Sequence, residues 1–176
     1  MASIYNVSQW LSSSTYKKND FVEDASISQR YWYSTQDGNN SNSPAVGSAY
    51  WNGNINITIN GATSIEPYFF WTPSYNLTVS HEPKINSIQF GEGYEQRLKD
   101  GISSNKLNLS LSFENRNEQE AGAILHFLHN REGYSTFYFK TPAPYSIIKK
   151  FICKSYSSNF VFADNYTIQC SFQEVS

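Results

Sequence analysis

The chain has 176 residues and a formal charge of -2, with a pI near 5.9. That length holds one ordinary domain or two small ones. Without a basic excess there is no counterion-release term to hold a phosphate backbone, so nucleic-acid binding falls behind other functions. No apolar run approaches the ~20 residues that span a bilayer, and a chain rich in Tyr (13) and Phe (12) with few charges favours strands over helices.

In chain order, the start "MASIYNVSQWLSSS" lacks a basic segment followed by a long apolar one. Synthesis and folding in a cytosol are therefore expected. Trp10, Tyr16, Tyr31, Trp32, Tyr33, Tyr50 and Trp51 crowd large rings into this region, more than so small a core can hide. Most are expected inside, since aromatics supply small domains with most of their burial. Tyr31, Trp32, Tyr33 and Trp51 are the candidates for a surface platform that stacks on sugar rings. "DGNNSNSPAVGS" (Asp37 to Ser48) reads as a long polar loop. "INITING" (Ile55 to Gly61) alternates Ile55, Ile57 and Ile59 on one face and predicts a short strand closed by an Asn60-Gly61 turn.

Composition changes near residue 60, which predicts a small module over 1–60 and a second domain over 61–176. "KINSIQF" (Lys84 to Phe90) and "YEQRL" (Tyr94 to Leu98) read as strands joined by Gly91-Glu92-Gly93, with a further turn at Asp100-Gly101. Leu107, Leu109, Leu111 and Phe113 alternate with polar residues, the period of a strand with one buried face. One helix follows: Asn117 caps it, Glu120 completes a capping box, Ala121, Ile124, Leu125 and Leu128 share a face, and Gly133 stops it. Strands are then expected in "YSTFYFK" (Tyr134 to Lys140), "IIKKFICKSY" (Ile147 to Tyr156), a short "NFVFAD" and "YTIQCSFQEV", where Tyr166, Ile168, Cys170 and Phe172 share a face. Many short strands and one helix predict a mainly β fold, a β-sandwich or barrel with the helix packed on one side.

Catalytic chemistry is poorly supplied. Gly91 and Gly93 lack the third glycine and the following helix of a dinucleotide site. Glu92, Glu95 and Asp100 show no apolar surrounding that would raise a carboxyl pKa, and Glu95 and Arg97 lie two apart on one strand face where they can pair. His126 and His129 are three apart on the helix, but His81 brings no further ligand at recognisable spacing. Cys153 and Cys170 read as buried, reduced thiols. No nucleophile elbow appears, so neither enzymatic activity nor a cofactor is expected.

"FGEGYEQR" (Phe90 to Arg97), with "FFWTP" before it and a helix and strands after it, resembles the phage minor tail protein M family of lambda-like siphophages, from about Glu66 onward. Glu92 stands where that family more often has Asp. The resemblance implies a tail-tube-like β-sandwich assembled in the host cytoplasm into a hexameric ring between the last tail-tube ring and the tail-tip hub or baseplate. Nucleic acid would pass only through the ring lumen. The first module resembles a chitin-binding type-3 module in Trp10, Tyr16, Asn19-Asp20, Tyr31 to Tyr33, Pro44 and Trp51, which implies an outward decoration with a possible host-glycan ligand. A glycan-binding adhesin whose second domain is only a mount is the alternative. Within the family reading, Gly91, Glu92, Gly93, Tyr94, Glu95, Gln96 and Arg97 are the expected subunit or ring-to-ring contact. Charge reversal at Arg97 is expected to block assembly while the domain still folds.

Overall fold

The computed structural model describes residues 7–24, 30–53, 57–59, 62–64, 67–75, 77–99, 101 and 105–175. Its first elements are short: β1 (Thr15–Tyr16), β2 (Phe21–Glu23), β3 (Tyr31–Ser34), β4 (Asn39–Asn40) and β5 (Trp51–Gly53). β2, β3 and β5 form one antiparallel sheet, and β1 pairs with β4. Asn19 holds the left-handed conformation before β2 (φ 68°), which Asn tolerates better than most residues. Tyr16, Val22, Trp32 and Trp51 close a small core with Trp10 packed on it. Strand alternation sends Tyr31, next to Trp32, out of this core and into a larger one. Gly53 makes the crossing possible: a Cβ there would lie 2.4 Å from the Tyr31 carbonyl oxygen and 2.8 Å from the Trp32 ring.

β6 (Ile57–Ile59) pairs antiparallel with β7 (Ala62–Ser64), so "INITING" supplies one strand of a ribbon. Ile55, the Asn60-Gly61 turn and the expected domain boundary lie outside the described residues. Then come β8 (Tyr68–Phe69), β9 (Thr78–Pro83), β10 (Ile85–Gln89), β11 (Glu95–Lys99), β12 (Asn105–Arg116), α1 (Glu118–Arg131), β13 (Phe137–Lys140), β14 (Ile148–Phe162) and β15 (Asn165–Glu174). Six of these form one sheet in the order β8-β13-β14-β15-β12-β9. Only the β8–β13 pair is parallel. The chain is mainly β, with one α-helix and several sheets among the described residues, as the strand periodicity predicts.

The core follows from that periodicity. Leu109, Leu111 and Phe113 stand directly opposite Phe172, Cys170 and Ile168 across β12 and β15, and all six are buried. Cys153 and Cys170 are free thiols within this core. The α1 start is also as expected, since the Asn117 side chain accepts from the Glu120 N–H at 2.7 Å. At its other end Glu132 takes the first left-handed position (φ 46°), one residue before Gly133. "NFVFAD" is not a separate strand. Asn159 to Phe162 are the far end of β14, and Ala163 and Asp164 make the turn to β15; β14 is a continuous 15-residue strand whose pairing with β15 shifts at two bulges, which let a long strand bend without ending.

Tyr31 ties the N-terminal strands to the larger core. Its ring lies against Trp71, Phe127 and His126, and its hydroxyl is 2.6 Å from His126 Nδ1. Burial raises the Tyr31 pKa, so the phenol keeps its proton while hydrogen-bonded to the imidazole. His126 is pulled below 6.5, first by its own burial and also by His129, with Glu23 acting the other way. The sign follows: the folded state disfavours the imidazolium, so stability is complete above the unfolded value of about 6.5 and declines as pH falls through it toward the depressed folded value. Urea midpoints are therefore expected to drop as pH falls below about 6.5, and His126→Gln to flatten that slope. Equal slopes for both proteins would remove His126 as the cause.

Candidate assembly surface

The stretch "FGEGYEQR" builds a hairpin that stands apart from the six-stranded sheet. β10 and β11 pair only with each other, in the register Ile85↔Lys99 to Gln89↔Glu95. Between them Gly91–Gly93 make a single 3-10 turn. Its left-handed positions are Glu92 (φ 69°) and Gly93 (φ 80°), so the first glycine is not the one that needs positive φ. The Phe90 N–H donates to the Tyr94 carbonyl at 2.8 Å and closes the loop.

Period 2 gives the ribbon two unlike faces. Ser87, Gln89, Glu95, Arg97 and Lys99 share one with Ile85. On it Arg97 pairs with Glu95 at 3.1 Å, and the Ser87 hydroxyl donates to the same carboxylate. Arg97 first and Ser87 second hold the Glu95 carboxyl below the usual carboxylate range. The other face carries Ile88, Phe90, Tyr94 and Leu98 with Asn86 and Gln96, and the Phe90 and Tyr94 rings meet at 6.1 Å. All four apolar residues are exposed.

The expected contact block is thus divided: Tyr94 and Gln96 point one way, Glu95 and Arg97 the other, and Gly91, Glu92 and Gly93 form the tip. Sequence reasoning missed Ile88, Phe90 and Leu98, although alternation on either side of the turn pairs them. A lone two-stranded ribbon is marginal in water, and an uncovered apolar face makes this one a candidate for contact with a partner.

The sugar-stacking candidates need correction. Tyr31, Trp32 and Trp51 are buried, with the Trp32 and Trp51 ring N–H groups donating to Asp24 and to the Asn42 carbonyl. Their faces are taken by core neighbours, so no sugar can stack on them. Only Tyr33 is half-buried, lying near-parallel to Phe70 at 6.2 Å. His126 is likewise engaged, by Tyr31 and Asn130. Among the described residues no group of three or more His, Cys, Asp or Glu could hold a metal, and no helix is long and apolar enough to cross a membrane.

A family model described as phage minor tail protein matches residues 67–176, which takes in the hairpin, α1 and the whole six-stranded sheet. The chain belongs to the phage minor tail protein family. It is similar to "Tail tip protein M" of Escherichia phage lambda, 29% identical over 90 residues that cover 51% of this chain and 81% of that protein. This minor tail protein is a structural component of the virion, located in the tail. The family match starts at residue 67, so the likeness of the first module to a chitin-binding module gains no support from it.

Proposed function

We propose that this minor tail protein is a non-enzymatic ring subunit of the tail tip, joining the tail tube to the tip hub or baseplate as a closed, hexameric ring. The observation that carries the reading is the β10–β11 ribbon, whose Ile88, Phe90, Tyr94 and Leu98 face is uncovered in the single chain. A neighbouring copy covers that face, and the Glu95–Arg97 face stays toward water, where an ion pair loses no hydration. Ring closure also protects strand edges that would otherwise pair without limit. The N-terminal module sits outward of the ring, fixed through Tyr31.

The test uses the full chain. Sedimentation velocity over rising concentration is expected to give a discrete ring-sized species, and electron microscopy to show protein capping the ends of tail tubes. A strictly monomeric protein that leaves tube ends bare would sink the reading.

A further inference from the structure

We propose that the far end of the β14–β15 hairpin is the complement of the β10–β11 ribbon, so that copies join head to tail, the ribbon of one against the tip of the next. This rests on the ring reading above and adds the surface that receives the ribbon.

The tip is apolar on both sides. Phe160, Val161 and Phe162 are 70%, 58% and 66% exposed. Strand alternation alone would turn the middle residue away from the other two, but the pairing shift between Phe160 and Phe162 interrupts it and leaves all three uncovered. The tip is also held in place. Asp164 Oδ1 accepts from the Glu118 N–H at the start of α1 (2.9 Å), Asn165 Nδ2 donates to Asn115 Oδ1 (3.2 Å), and Phe160 meets Tyr166 edge-on at 5.1 Å. A surface ordered in advance loses little entropy on binding.

Strand order puts the two surfaces at opposite ends of the body. β12 begins with Asn105 beside Pro83, where the β10–β11 ribbon leaves, and ends with Arg116 beside Tyr166 near the tip. Its 12 residues separate those ends by roughly 35–40 Å. Two different apolar surfaces at opposite ends cannot satisfy each other within one chain. A head-to-tail contact hides both surfaces at every junction and repeats until it closes, as the ring reading requires.

Area fits the same pairing. Exposed side chains of the ribbon's apolar face and of the tip together present on the order of 1,000 Å², near the lower limit for a specific interface. Ring closure engages such a contact repeatedly, which offsets its small size.

The experiment mixes two full-length variants, a tip variant (Phe160→Asp with Phe162→Asp) and a ribbon variant (Ile88→Asp with Leu98→Asp). Each alone is expected to stay monomeric. Their equimolar mixture is expected to form a 1:1 dimer and nothing larger, because one intact ribbon meets one intact tip. A tip variant that assembles like the unaltered protein would overturn the pairing alone, as would a mixture that stays monomeric while the unaltered protein assembles. An unaltered protein that never assembles overturns the ring reading and this pairing with it. If the tip variant fails to fold, Phe160→Ser with Phe162→Ser replaces it, and the mixture is judged by the same outcomes.

Discussion

Aspartates at Ile88 and Leu98 are expected to weaken self-association at least about a hundredfold while leaving the monomer's melting curve unchanged. In the single chain both side chains are near half exposed (44% and 45%), so exchanging them for charge removes little that folding uses. In the assembled state each loses roughly 0.7–1.5 kcal/mol of apolar burial, about half the value for a fully exposed side chain, and each new carboxylate must be stripped of water without a partner. Arg97→Glu is the instructive contrast. The sequence-based expectation has it block assembly, but Arg97 lies on the opposite face, in an exposed pair with Glu95, and such pairs contribute about 0–1 kcal/mol. Sedimentation velocity on both variants decides between the faces. Assembly lost with Arg97→Glu and kept with the two aspartates would make the polar face the contact and overturn the assignment made here.

Phe69→Ala is expected to destabilise the fold by about 3–5 kcal/mol, the range for emptying a buried aromatic site. Phe69 is fully buried, with ring centroids of Trp71, Phe172, Phe113, Phe127, Phe139 and Phe137 all within 5.9 Å. These rings come from β12, β13, β15 and α1 and from the turn after β8, so one cavity weakens most of the larger core together. The strand itself offers little resistance. β8 has two residues at the sheet edge, paired only with β13, and its side chain rather than its backbone keeps it there. With total stabilities of about 5–15 kcal/mol for such domains, the loss takes a large share. Urea unfolding measures it as a lower midpoint at unchanged slope. Phe69→Leu, which retains most of the volume, is expected to cost clearly less. A loss below about 1 kcal/mol for the alanine variant would mean that the neighbouring rings refill the space.

Much of the fold was legible because it depends on short-range pattern. The alternation of Leu107, Leu109, Leu111 and Phe113 and that of Ile168, Cys170 and Phe172 describe two strands whose buried faces turn out to oppose each other. The Asn117 cap and the helix after it are equally local. The length of β14 was not legible. Polar Ser155, Ser157 and Ser158 interrupt its apolar period, and the strand continues there because β15 pairs with it past two bulges, information that lies elsewhere in the chain.

The candidate site divides the same way. By itself the sequence determined the hairpin, its turn and the family to which "FGEGYEQR" belongs, since turn chemistry and period 2 act over a few residues. The fate of the aromatic rings was decided only by tertiary structure. Tyr31 and Trp32 are adjacent and chemically alike, yet one fills the larger core and the other the small one, because β3 is covered on both sides. Tyr94 and Phe160, no less apolar than Tyr31, stay largely exposed because their ring neighbours Phe90 and Tyr166 cover only part of them. Burial belongs to whatever lies across the gap, and the proposal that "FGEGYEQR" is an assembly element rests on its Ile88, Phe90, Tyr94 and Leu98 face, which the fold leaves exposed.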